Sequence, residues 1–156
     1  MILIPILFGK AILLSLLFLS TFNLFSQINQ KVFESQIDSV DNLNLENRVE
    51  GLKYLFKELK DNSKTVETSK NLRRLSNRLY NVGEIESSYQ INTYNVKVSK
   101  NVGDTITLAK NYKDIGDYFY LYSVNDSAFY YYQQALNYLK ADNKSYVQAL
   151  IKKAEL

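Results

Sequence analysis

Displaced against itself by 40 residues, the chain aligns three of its segments without a gap. They are Asp61-Asn-Ser-Lys-Thr65-Val, Asn101-Val-Gly-Asp-Thr105-Ile and Ala141-Asp-Asn-Lys-Ser145-Tyr. The same shift sets Lys70-Asn71 on Lys110-Asn111, Tyr80 on Tyr120, Ser87 on Ser127 and Ala109 on Ala149. Apolar positions coincide as well: Leu72, Leu75 and Leu79 fall on Tyr112, Ile115 and Phe119, and Phe56 on Val96 and Leu136. A fixed period of this size repeats one supersecondary unit, and each unit must bury its apolar face against the next. The units run over residues 27–60, 61–100 and 101–140, with a partial one at 141–156.

Each unit holds two helical patterns. Thr105–Tyr122 carries Leu108, Ala109, Tyr112, Ile115, Gly116 and Phe119, spaced three and four apart, which is one apolar stripe of a helix. Asp104 or Thr105 can cap its start, because a short side-chain oxygen accepts an orphan backbone N–H. After the polar break Ser123-Val-Asn125, a second stripe follows over Asp126–Lys140 with Ala128, Phe129, Tyr132, Ala135, Leu136 and Leu139. The unit before reads likewise, with a helix over Lys64–Val82, Gly83 as its stop, and a helix over Ile85–Ser99. Leu45–Leu59 and Val32–Val40 form the earlier pair, and Asn143 opens a last helix, Ser145–Leu156. With 5 Gly and 1 Pro, a turn-rich all-β fold is excluded. Antiparallel helix pairs at a fixed period predict an all-α solenoid.

The pattern Tyr112-x2-Ile115-Gly116-x2-Phe119, then Ala128-x3-Tyr132-x2-Ala135, resembles the tetratricopeptide repeat (TPR). The small residues Gly116, Ala128 and Ala135 fall at that family's close-approach sites. The resemblance spans Ala109–Asp142, with Lys140 where the family has a helix-ending Pro. The preceding unit is degenerate, with Asn92 and Asn95 where an aromatic and an Ala are preferred. The resemblance implies that the first helix of each pair lines a concave face. Carried over, that face comprises Lys70, Arg73, Asn77 and Tyr80, then Lys110, Lys113, Asp117 and Tyr120. It is polar, mildly basic and Tyr-bearing, and fits an acidic or C-terminal carboxylate segment by charge-assisted hydrogen bonds. Asp114 and Arg74 depart from the clamp that some TPR co-chaperones use for such tails.

The N-terminus reads as a targeting segment. Between Met1 and Ser26 the only charge is Lys10, and Ala11–Phe25 is an apolar run of signal-peptide length. Cleavage near Ser26 makes residues 1–26 a signal peptide; counted from Ile2, the tract is also long enough for an uncleaved membrane anchor. Both readings place residues from Gln27 onward outside the cytoplasm, in the periplasm or cell envelope.

Other chemistry is limited by residue inventory. With no Cys and no His, the usual zinc, copper and haem ligand sets and Ser-His or Cys-His catalysis are missing. There is no Gly-rich phosphate loop or metal-binding loop, so no cofactor is expected. Beyond residue 26 the chain has 18 basic and 16 acidic side chains, too even a balance for a nucleic-acid footprint. Arg73-Arg74-x3-Arg78 reads as a solvated helix face, and Asp114 and Asp117 as ion-pair partners of Lys110 and Lys113. Asn125-Asp-Ser127 and Asn143-Lys-Ser145 match glycosylation sequons, which capping at helix starts explains. Tyr112–Tyr138 holds eight Tyr and two Phe, more than one helix face can bury. Phe119, Phe129 and Tyr132 take core positions; Tyr118, Tyr120, Tyr122, Tyr130 and Tyr131 are freer to present a partner surface.

Together these features predict a non-catalytic, exported module for protein or peptide interaction. The last helix lacks a partner and a capping repeat, which predicts self-association through it, or a longer protein of which this is the front. A signal followed by such repeats resembles the extracytoplasmic sensor half of bacterial signalling proteins with a histidine kinase or helix-turn-helix output.

Overall fold

The computed structural model describes residues 32–61 and 64–139, together with 147, 148 and 151. The signal segment, the Asn143 cap and most of the last helix lie outside the described residues. The chain divides into two compact units, residues 1–38 and 39–156. Among the described residues every regular element is a helix: α1 (32–40), α2 (Leu45–Asp61), α3 (Val66–Asn81), α4 (Ile85–Val102), α5 (Thr105–Leu121) and α6 (Asn125–Tyr138). None of them is long and apolar enough to cross a membrane.

The helix ends follow local chemistry. Thr65 caps α3 in a capping box with Thr68, and Asp104 caps α5 by accepting from the Thr107 N–H. α4 runs to Val102, past the expected Ser99, and stops where Gly103 takes a left-handed φ of 72°. α6 starts at Asn125 after Val124, with no side-chain cap bond, and ends at Tyr138. Capping therefore does not account for the Asn125-Asp-Ser127 sequence.

The turns repeat in atomic detail. After α3, the Gly83 N–H donates to the Tyr80 carbonyl at 3.0 Å and the Glu84 N–H to that of Leu79 at 2.9 Å. After α5, Ser123 donates to Tyr120 at 3.0 Å and Val124 to Phe119 at 2.9 Å. These pairs stand 40 residues apart in the sequence. Both turns need a residue at positive φ: Gly83 at 86° and Ser123 at 57°. Connections this short fold each helix back onto the one before. From α2 onward consecutive helices pack together, and α3 also touches α5.

Close packing within each pair depends on small side chains. Ser76 of α3 meets Ser88 of α4, hydroxyl to hydroxyl, at 2.9 Å, both buried. The equivalent positions of α5 and α6 are Gly116 and Ala128. Gly116 leaves room for the ring of Tyr132, which is buried with Ala128 and Ala135 beside Val147 and Ile151. Tyr112, Phe119 and Phe129 pack against that cluster, as does Tyr120.

Between α3, α4 and α5 the apolar core, which includes Leu72, Leu75, Ile91 and Ile115, also holds a polar layer. Ser69, Asn95, Ser99 and Asn111 are all buried. The Asn95 amide donates to the Ser69 carbonyl at 2.8 Å, and the Ser69 and Ser99 hydroxyls meet at 2.7 Å. Asn111 donates to the Ser99 hydroxyl at 3.3 Å, and Ser69 to the Asp104 carboxylate at 3.2 Å. Asn95 thus bonds across helices in place of the expected Ala, and its partners meet its desolvation cost.

Candidate functional site

A cleft of about 1060 Å³ opens within the residue 39–156 unit, bounded by α3, α4, α5 and the start of α6. It gathers Arg73, Asn77 and Tyr80 from α3 with Lys113, Asp117 and Tyr120 from α5. Those are six of the eight residues assigned to the concave face. Lys70 and Lys110 do not line it; Lys70 pairs with Glu67 on its own helix at 3.2 Å.

The charges of the cleft are organised in pairs. Arg73 Nη1 bonds Asp114 Oδ2, joining α3 to α5. Lys113 bonds Asp117 one turn on, and its Nζ lies 3.5 Å from Asp114. The Tyr132 hydroxyl donates to the other Asp117 oxygen at 3.0 Å. Asp114 is thus the carboxylate already seated on Arg73. The cations of the cleft are thus met by carboxylates of the same chain. Asp114 pairs across helices with Arg73, as well as near Lys113, and Lys110 has no part in it. Of the arginine cluster, Arg78 is also engaged, with Asp41 at 2.8 Å.

Asn92 stands at the back of the cleft, 3 % exposed. Its Oδ1 is buried with no hydrogen-bond partner among the described residues. An unsatisfied buried acceptor costs about 1–3 kcal/mol. The equivalent position one unit later is Tyr132, whose ring fills the space beside Gly116.

An aromatic stack forms one side of the site. Tyr89 of α4 stacks on Tyr118 of α5 with centroids 4.0 Å apart, and Phe119 stacks on Tyr131 at 5.4 Å. Tyr112 continues it toward Tyr131 and Tyr138. Tyr118 and Tyr131 are therefore packed between rings, and Tyr122 and Tyr130 touch them while remaining exposed. The Tyr118 hydroxyl donates to Glu86 at 2.6 Å, which pushes its pKa up to about 12. Burial, with smaller contributions from neighbouring tyrosines, raises Tyr112 and Tyr131. At the start of α4, hydrogen bonds from Lys53 and Ser87 lower Glu84 below the usual carboxylate value.

Asn92, Asp114 and Tyr89 were not assigned to the site from sequence. Asp114 carried a signal, because it follows Arg73 by one unit plus one residue. Asn92 carried one too, as a polar residue at a position that prefers an aromatic. Tyr89 lies outside the Tyr112–Tyr138 cluster and gave none. Among the described residues no group of three acidic side chains is placed to hold a metal ion. Compared with known proteins, the chain matches no family model and no curated protein.

Proposed function

We propose that the chain is an exported, TPR-like helical scaffold that binds a protein or peptide partner in the cleft between α3 and α5, without catalysing a reaction. The observation that carries this is the convergence of Arg73, Asn77, Tyr80, Lys113, Asp117 and Tyr120, three from each of two 40-residue units, on one open cleft. Recurrent turns and the Gly116–Tyr132 contact support the repeat reading, because a helical repeat stacks equivalent faces into one surface. A cleft presenting Tyr rings with planar amide and guanidinium groups offers large contact area at low entropic cost. The apolar tract of residues 11–25 supports export.

Two experiments test this reading. A photo-crosslinking amino acid at Asn77 or Tyr80 is expected to capture a defined partner in the cell envelope, and one at exposed Tyr54 on α2 none. Identical capture from all three positions, or none from any, refutes the cleft as the binding surface. Fusion of residues 1–26 to alkaline phosphatase in a Gram-negative host is expected to give active enzyme. An inactive cytoplasmic fusion overturns export.

A further inference from the structure

Two cations and two carboxylates line the middle of the cleft: Arg73, Lys113, Asp114 and Asp117. Each cation is bonded to a carboxylate of the same chain. The Arg73–Asp114 pair is well shielded, its side chains 20 % and 18 % exposed. One unit supplies the guanidinium and the next supplies the acid that occupies it. A ligand carboxylate approaching Arg73 meets Asp114 on its Nη1 and Asp117 close by, so like-charge repulsion works against it.

One acceptor among the residues lining the cleft lacks a donor. Asn92 Oδ1 is a buried acceptor without a partner, and it accepts only from an N–H or O–H. At the rim, Tyr80 and Leu121 are exposed apolar surfaces. An extended peptide supplies both requirements at regular spacing, a main-chain N–H for the acceptor and an apolar side chain for the rim.

We infer that the cleft takes an uncharged, extended peptide segment, one of whose main-chain N–H groups meets Asn92 Oδ1 once that amide turns toward the cleft, and that Asp114 holds in cis the place of an acidic ligand on Arg73. This rests on the reading of the cleft as a partner-binding surface.

The test uses two arrays of twelve-residue peptides blocked at both ends. One is composed of Asn, Gly, Ser, Leu and Tyr, the other of Asp, Glu, Gly and Ser. The native chain is expected to bind members of the uncharged array, with a Kd that changes less than twofold between 25 and 300 mM NaCl. Asn92→Leu, checked by circular dichroism for unchanged helicity, is expected to weaken them about fivefold or more, the worth of one hydrogen bond. Asp114→Asn is expected to gain binding to the acidic array by about tenfold or more, and to lose that gain at high salt. Binders drawn by the native chain mainly from the acidic array overturn the inference and leave the scaffold reading standing. Uncharged binders indifferent to Asn92→Leu overturn the role of Asn92. Silence of both arrays with the native chain overturns the inference and peptide binding in this cleft together.

Discussion

The ring of Tyr132 lies against the Cα of Gly116. A Cβ at residue 116 would stand 3.2 Å from Cγ of that ring and inside van der Waals contact with Cδ1 and Cε1. Helix propensity alone makes Gly116→Ala favourable by about 1 kcal/mol, because Gly in a helix interior is costly. The ring reverses that sign. Tyr132 is buried and its hydroxyl is bonded to Asp117, so it has little freedom to withdraw. Gly116→Ala is expected to destabilise the chain in spite of propensity. Gly116→Leu is expected to do so by about 1–3 kcal/mol, the usual cost of overpacking. Urea unfolding checks both, and a more stable Gly116→Ala variant refutes the contact.

Asn71 and Asn111 occupy the same place in successive units, and both are buried. Asn111 exchanges hydrogen bonds with Asn95 and Ser99. The residues 40 positions before those two are Leu55 and Leu59, which offer no hydrogen-bonding side chain. Asn71 Oδ1 is accordingly left without a partner among the described residues. The near-isosteric change to Leu should therefore act oppositely at the two sites. Asn71→Leu is expected to stabilise by about 1 kcal/mol as an orphaned polar group is removed. Asn111→Leu is expected to destabilise by about 1–2 kcal/mol as two bonds of a satisfied network are lost. Equal and same-signed changes in denaturation midpoint would contradict this.

The contrast marks what was readable from sequence. Helix positions were legible because Leu72, Leu75 and Leu79 recur at helical spacing and Gly83 and Asp104 carry local end signals. The period was legible because it is a property of the string. Part of the cleft was legible by register, since Arg73, Asn77 and Tyr80 precede Lys113, Asp117 and Tyr120 by one unit. Partner choice was not. Whether Asp114 turns to Lys110 on its own helix or to Arg73 on another depends on helix spacing, which in turn depends on the small pairs Ser76–Ser88 and Gly116–Ala128. The polar layer was hidden for the same reason: Asn95 is unfavourable in a core until Ser69 and Asn111 stand opposite it.

Ser123 holds the positive-φ position that Gly83 fills one unit earlier. A non-glycine residue in that region is strained by about 1–2 kcal/mol, offset in part by the lower entropy of its unfolded chain. Ser123→Gly is expected to raise stability by up to about 1 kcal/mol. Gly83→Ser should cost a similar amount, since its turn makes the same two hydrogen bonds. Melting temperatures of the two single variants and of the swapped double variant check this; the swap should leave stability nearly unchanged.

Tyr118 should titrate well above an ordinary tyrosine. Its hydroxyl donates to the Glu86 carboxylate, so ionisation loses that bond and sets two negative charges together. The folded pKa of about 12 lies above the ordinary 10.0. The sign follows: the contribution to stability is complete below pH 10.0 and is lost as pH rises through about 12. Absorbance at 295 nm is expected to show an ionisation near pH 12 that disappears in Tyr118→Phe and moves downward in Glu86→Gln. Glu84 works in the opposite direction. Its lowered pKa supplies stability above its ordinary value of 4.5, lost as pH falls through the folded value.

Tyr80 and Tyr120 are one unit apart and both line the cleft, yet their other contacts differ. Tyr80 is 51 % exposed, whereas Tyr120 packs partly against the cluster around Tyr132 and Ala135. Sequence register alone makes the two equivalent and predicts that truncating either leaves the fold intact. The packing separates them. Tyr80→Ala is expected to change stability by less than about 0.5 kcal/mol, as an exposed side chain should. Tyr120→Ala is expected to cost about 1–2 kcal/mol, because it uncovers apolar surface of that core. Both should weaken a peptide captured in the cleft, since both rings face it. Tyr80→Ala is therefore the cleaner probe: loss of binding there, with an unshifted denaturation midpoint, cannot be attributed to unfolding. Normal binding by Tyr80→Ala would place the partner's contact elsewhere on the chain.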